Sequence, residues 1–332
     1  LTFTVLSFTS IQTTLKFNQI ERDNEGLYEG MMIRSKAWNP LEESVLDYAR
    51  SNFGNRASVA ARSWYDNRTK AHIKMKHGAK AHNALGVPGL TPEESGVTGL
   101  DRALIAGRWF EEGDEKVCIL PSDMVVPAYL DIDLTEMGKA QIRVFGELFT
   151  VIGVLDSKRM KDLKDLDDEI MTPADFAVTG GQAVQEMAEE EQREKQGLED
   201  TKVVIKPFVH LEPANVLIIP YHTLRNIGSG NPLQSVAIRF DEGVNERAEI
   251  EEFLSRLAVT LFAGIKEQGD EYIKVSIYSS LGMTSFSGMG NLFVPILIAS
   301  LIVLNTMMGS VYERFREIGV YSSVGLAPAH RS

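Results

Sequence analysis

Residues 292–311, LFVPILIASLIVLNTMMGSV, carry no Asp, Glu, Lys or Arg. About twenty residues at about 1.5 Å rise each form a helix about 30 Å long, the thickness of a bilayer's hydrocarbon core. Roughly eleven of them are Leu, Ile, Val or Phe, and each favours insertion by roughly 0.3 to 0.6 kcal/mol at the centre of a span. That sum outweighs Pro295, Asn305 and the two serines. A buried core helix is shorter or shows a polar face, and this run does neither. It therefore predicts a transmembrane α-helix in contact with membrane lipid.

The chain after the run is as informative. Residues 311–325 read VYERFREIGVYSSVG. Val311, Phe315 and Ile318 fall on one helical face, with Glu313, Arg314, Arg316 and Glu317 off it. Glu313/Arg316 and Arg314/Glu317 are i,i+3 pairs. A helix that lies on lipid is usually rich in Lys and Arg. Mixed charge beside an apolar stripe suits a protein groove better.

Most of the chain precedes the run and must fold outside the bilayer. The chain has 332 residues and a hydrophobic content of 44%, within the globular range. A formal net charge of −12 argues against broad nucleic-acid binding and against the main domain lying on anionic lipid. Cys118 is the only cysteine, which excludes an intrachain disulfide and a cysteine-built metal site. It reads as a small core residue. Residues 1–11, LTFTVLSFTSI, are apolar but too short to span and lack a charged leader region.

Taken in order, residues 15–22 read as a helical stalk broken by Gly26 and Gly30. A strand at 31–35, a helix at 41–53 opened by Pro40 and stopped by Gly54, and a strand at 57–65 make one β-α-β unit. The polar stretch 70–86 holds His72, His77 and His82 at five-residue spacing. That spacing fits neither one helical face nor strand alternation, so a hairpin or loop is expected rather than a metal site. Strand-like pieces follow at 117–120, 141–146 and 149–155, the last two a hairpin turning near Gly146. The acidic run KDLKDLDDE, 161–169, lacks the alternating ligands and central Gly of a calcium loop and reads as solvated. Residues 186–194, EMAEEEQRE, read as a solvent-facing helix. Strands are expected at 203–209 and 215–219. Residues 233–240 form a clear strand, followed by an amphipathic helix at 245–261 capped by Asn245 and a strand at 274–278, a second β-α-β unit.

Four pieces of this chain resemble one family. Residues 305–325 place Glu313, Arg314, Glu317, Ile318, Gly319 and Gly325 in an E-R-x-x-E-I-G pattern after a small-residue helix end. Gly107, Arg108 and Phe110 form G-R-x-F. Gly138, Lys139, Ile142, Val144, Phe149, Val151, Gly153, Val154 and Leu155 follow its hairpin pattern, with Ala140–Gln141 one residue longer than usual. Ile219, Pro220, Tyr221, Thr223 and Leu224 add I-P-Y-x-T-L. All resemble FtsX-like, MacB-like ABC transporter permeases.

The resemblance implies a coupling segment that docks on a partner ABC ATP-binding subunit, through Glu313, Arg314, Arg316, Glu317, Ile318 and Gly319. It implies a multi-pass protein of the inner (cytoplasmic) membrane with the large domain extracytoplasmic. It also implies a second or paired permease and an extracytoplasmic protein partner. The expected fold class is α+β: two βαβ units forming a membrane-proximal subdomain with a β-rich inserted subdomain, then a transmembrane α-helix. The expected divisions are the end of a first transmembrane helix and stalk (1–22), the first βαβ half (23–84), the insertion (85–228), the second half and stalk (229–290), the span (291–311) and the coupling segment (312–332).

The sequence has no Walker A loop, no G-x-S-x-G, no H-E-x-x-H and no dinucleotide-binding glycine fingerprint. No catalytic, cofactor or metal residues are assigned. The reading is a non-catalytic permease subunit that passes motion from an ATPase to the outer domain. The alternative is a membrane-anchored extracytoplasmic binding or signalling module. A membrane-tethered hydrolase has only scattered His and Asp behind it.

Overall fold

The computed structural model describes residues 10–65, 70–179, 208–227, 230–267, 269–287 and 289–323, with 185, 187–189 and 192. Side chains at 10–18, 136 and 280–296 fall outside the description. The chain divides into two units, Leu15–Met283 and the pair Leu1–Thr14 with Thr284–Ser332.

The elements run β1 (Ser10–Glu25), β2 (Gly30–Arg34), α1 (Glu43–Phe53), β3 (Ala57–Trp64), β4 (Ala71–Met75), β5 (Ala81–Ala84), β6 (Pro88–Leu90) and α2 (Glu94–Val97). They continue with β7 (Leu104–Gly107), β8 (Val117–Pro121), β9 (Gln141–Val144), β10 (Glu147–Leu155), α3 (Ser157–Asp162), α4 (Phe176–Thr179), β11 (Ile219–Pro220) and α5 (Tyr221–Asn226). The last are β12 (Leu233–Phe240), α6 (Glu246–Arg256), β13 (Thr260–Ile265), β14 (Lys274–Ser287) and α7 (Met289–Ser323).

The larger sheet has the order β1-β14-β13-β2-β12-β3-β6-β11. The two βαβ units are β2-α1-β3 and β12-α6-β13, and each is split by a strand of the other. β12 runs antiparallel between β2 and β3, and β2 runs antiparallel between β12 and β13. The expected closing strand of the second unit was 274–278. The structure corrects this: the helix stops at Arg256 and Thr260–Ile265 closes the unit. Leu257 and Leu261 suit the apolar face of a helix, but the Val259–Gly264 run is buried on both faces, as a central strand requires. β14 is its antiparallel neighbour.

Strand alternation gives the sheet two different faces. Met31, Ile33, Val236, Ile238 and Leu261 pack with Val45, Leu46 and Phe53 of α1 and Ile250, Phe253 and Leu254 of α6. Met32, Ala60, Trp64, Ala237 and Phe262 belong to a second core with Tyr28, Trp38, Leu166 and Phe208. Neither α1 nor α6 contributes to this second core; the short α2 and loops cover that face, and Val97 of α2 belongs to the core.

The smaller sheet has the order β5-β4-β9-β10-β7, with β8 parallel to β10. The β9–β10 hairpin turns through Phe145 (φ 53°) and Gly146 (φ 82°), the positive pair that two-residue hairpins favour. Gly107, the first residue of G-R-W-F, has φ 81°, and a Cβ there would lie 2.0 Å from the Ile152 carbonyl oxygen. Cys118 is fully buried in this unit's core, and desolvation pushes its thiol pKa up. β4 and β5 form the expected polar hairpin. His72 Nδ1 lies 2.9 Å from Asn83 Oδ1 while His82 stacks on Tyr129, and no metal-ligating group forms among the described residues. β4 and β5 belong to the smaller sheet, while β6 and β11 belong to the larger one.

The helical stalk at 15–22 is a second correction: these residues lie in strand β1. Exposure alternates residue by residue from Gln19 to Glu25, the period of an edge strand. Asn24 Nδ2 donates to the Leu166 carbonyl at 3.3 Å, and the Arg22 guanidinium sits 5.8 Å from the Phe262 ring. Of the expected end of a first membrane helix at 1–11, residues 1–9 lie outside the described residues and residues 10–11 lie in β1; most of the acidic helix at 186–194 and residues 203–207 of the strand expected at 203–209 also lie outside them.

Candidate functional site

The predicted docking residues all lie on α7. This helix runs without a break from Met289 to Ser323, so the predicted span and the predicted coupling segment form one rod. Leu301, Ile302, Val303 and Leu304 are consecutive and each more than half exposed, and four successive residues point to every side of a helix. The Thr306 hydroxyl donates to the Ile302 carbonyl at 2.8 Å and the Ser310 hydroxyl to Met307 at 3.1 Å. These polar groups are satisfied by their own helix, as apolar surroundings demand. Among the described residues no helix is long and apolar enough to cross a membrane. The side chains at 292–296, the most apolar start of the run, lie outside those residues.

Glu313, Arg314, Arg316, Glu317, Ile318 and Gly319 follow in sequence and are exposed. Phe315 and Ile318 are 69% and 60% exposed, and nothing lies within 4 Å of where a Gly319 Cβ would stand. The structure thus gives an apolar stripe flanked by both charge signs, on a helix that continues past Gly319.

A second cluster was not foreseen. The acidic run expected to be solvated is a strap, residues 165–172, laid on the face of the large sheet opposite α1 and α6. Asp165, Asp167 and Glu169 are 2%, 2% and 6% exposed, while Asp162 and Asp168 between and beside them face solvent. Beneath them, Arg34 on β2 and Arg62 on β3 both register with Ser235 on β12, so three strands present one polar row.

Each acid has its own fastening. Arg34 donates from Nε to Asp167 at 2.7 Å and from Nη2 to Glu169 at 3.2 Å. Its guanidinium lies 4.4 Å from the Trp38 ring and 4.8 Å from the Phe262 ring. Arg62 forks onto Glu94 at 2.9 and 2.8 Å and reaches Asp165 through Nη1. Tyr28 donates its hydroxyl to Asp165 at 2.9 Å. Trp38 Nε1 donates to Glu169 at 3.1 Å, and Trp38 holds a left-handed φ of 54° to do so. His210 Nε2 lies 2.7 Å from Glu169 Oε2, and its Nδ1 faces the Thr172 carbonyl.

Burial dominates the electrostatics. It pushes the Asp167 carboxyl up to about 6 against the pull of Arg34. Burial also opposes the Glu169 charge, but the His210 hydrogen bond and the Arg34 charge outweigh it and hold that carboxyl below its usual range. Desolvation works against Arg62 too, and Asp165 and Glu94 overcome it. Composition could not reveal this. The only sequence signal was period-two spacing of Asp165, Asp167 and Glu169, the spacing that places three side chains on one side of an extended segment.

The sequence matches no family model and no curated protein. Among solved structures the fold is similar to the periplasmic region of MacB from Actinobacillus actinomycetemcomitans, at 14% identity and TM-score 0.42, covering 69% of this chain and 82% of that one. It is also similar to the extracellular domain of the noncanonic ABC-type transporter YknZ from Gram-positive bacteria, at 13% identity and TM-score 0.37, covering 71% and 88%.

Proposed function

We propose that this chain is a permease subunit of an ABC transporter, with its large domain outside the cytoplasmic membrane. In this reading α7 crosses the bilayer and its Glu313–Gly319 segment docks on an ATP-binding partner. ATP hydrolysis belongs to that partner, and this chain converts the partner's movement into movement of the outer domain. The observation that carries the reading is the continuity of α7. A helix with apolar side chains exposed on every side requires lipid or protein around it, and the same rod continues into an exposed segment of mixed charge. A rigid helix joining the two can pass a displacement from one side to the other.

The test is a pull-down of the full-length protein from membranes in gentle detergent, wild type beside the Glu313→Lys/Glu317→Lys double variant, with ATPase activity measured on the eluate. The expected result is an ATP-hydrolysing partner that accompanies wild type and is lost with the charge reversals. Folded wild-type protein that brings down no ATPase overturns the reading and favours an anchored outer module.

A further inference from the structure

The strap cluster contains a protonation that its geometry requires. His210 has two ring nitrogens, and both face groups that accept. Nδ1 faces the Thr172 carbonyl, which has no proton to give, so that nitrogen must carry one. Nε2 faces Glu169 Oε2 at 2.7 Å. Glu169 already accepts from Arg34 Nη2 and the Phe208 amide on Oε1, at 3.2 Å each, and from Trp38 Nε1 on Oε2 at 3.1 Å. A carboxyl that accepts from three donors is suited to the ionised form, which places a second proton on Nε2. Were the proton on Oε2 instead, the pair would still hold one more than a neutral imidazole and a carboxylate hold between them.

Charge balance points the same way. The buried charged groups on this face and just beyond β2 are Asp165, Asp167, Glu169 and Glu94 against Arg34, Arg62 and Lys36, four carboxyls to three cations. Glu169 meets His210 directly and shares Arg34 with Asp167, while Trp38 and Trp64 stand edge-on to the imidazole ring. An imidazolium reduces the excess of negative charge where water cannot screen it.

We propose that the His210–Glu169 pair is a proton-operated clasp: with its extra proton it fastens residues 165–172 across the face of the large sheet opposite α1 and α6, and losing that proton releases them. The extra proton closes both bonds of His210 at once. Without it, either the Thr172 or the Glu169 contact becomes two facing acceptors, and the strap loses one of its fastenings while the sheet's own hydrogen bonds remain. The clasp works independently of what α7 docks on.

The experiment uses the full chain in nanodiscs with ¹⁵N-labelled histidine. Ring nitrogen shifts report the protonation of His210, assigned by its loss in His210→Gln. Hydrogen exchange, normalised for intrinsic rate, reports opening of the strap and of β12 from pH 6 to pH 9.5. The expected result is both nitrogens protonated at pH 6. Once the ring shifts report loss of that proton, strap opening should rise by up to about tenfold per pH unit, as release of one proton requires, while β12 stays protected. In His210→Gln the strap should be open already and flat with pH. A bare ring nitrogen at pH 6 overturns the proposal, as does strap protection that ignores the His210 titration. If the variant fails to fold, the wild-type comparison of ring shifts with strap exchange decides alone.

Discussion

Arg34 is completely buried, and its charge is shared between Asp167 and Glu169 while its faces are closed by Trp38 and Phe262. Replacing it with Met should lower stability by about 3 to 5 kcal/mol, because two acids would stay buried without their cation. Urea unfolding of the two proteins measures this. Asp167 gives a pH test with a definite sign. Its folded-state carboxyl titrates near 6, above the usual 3.8, so the folded chain holds more protons than the unfolded one between these values. This group therefore contributes stability that is present below about pH 4 and is lost as pH rises through about 6. Asp167→Asn should flatten that part of the profile in a thermal melt series. Gly107→Ala should cost about 1 to 3 kcal/mol from the positive φ alone, beyond the clash with Ile152. The partners that bury the strap could not be read in advance. Arg34 lies 133 and 135 residues from Asp167 and Glu169, and no local pattern carries such a pairing.

The elements were legible where one signal acted alone. α1 and β12 came from apolar periodicity with clear punctuation, and the β9–β10 hairpin from alternation around Gly146. Asn245 was read as a cap, and its side chain accepts from the Ala248 amide at 3.2 Å. Asn245→Ala should therefore cost about 1 kcal/mol, which chemical denaturation can detect. Reading failed where two periods overlapped. Leu257 and Leu261 fit a helix as well as a strand, and α6 stops before both. At β1 the charged residues of 15–25 suggested an exposed helix, but the same charges suit the open side of an edge strand. The residues proposed for docking were named from sequence, and the structure puts them on one continuous helix.

For the molecule as a whole, the interleaved sheet and its insertion were half legible. The two βαβ units and the β-rich stretch between them followed from element order. That each unit is split by a strand of the other did not, because strand order depends on pairing across the full length of the chain. For the same reason sequence order alone did not show that β6 and β11, which lie within the expected insertion, pair into the large sheet.

That interleaving fixes an order of events during synthesis. β2 and β3 emerge early, but the place between them belongs to β12, which ends at Phe240. Until then both strands wait with open hydrogen-bonding edges, and the intervening chain must fold as a unit of its own before the gap can close. Closure over so long a loop is slow, and the waiting edges are the part of this protein most in need of a chaperone.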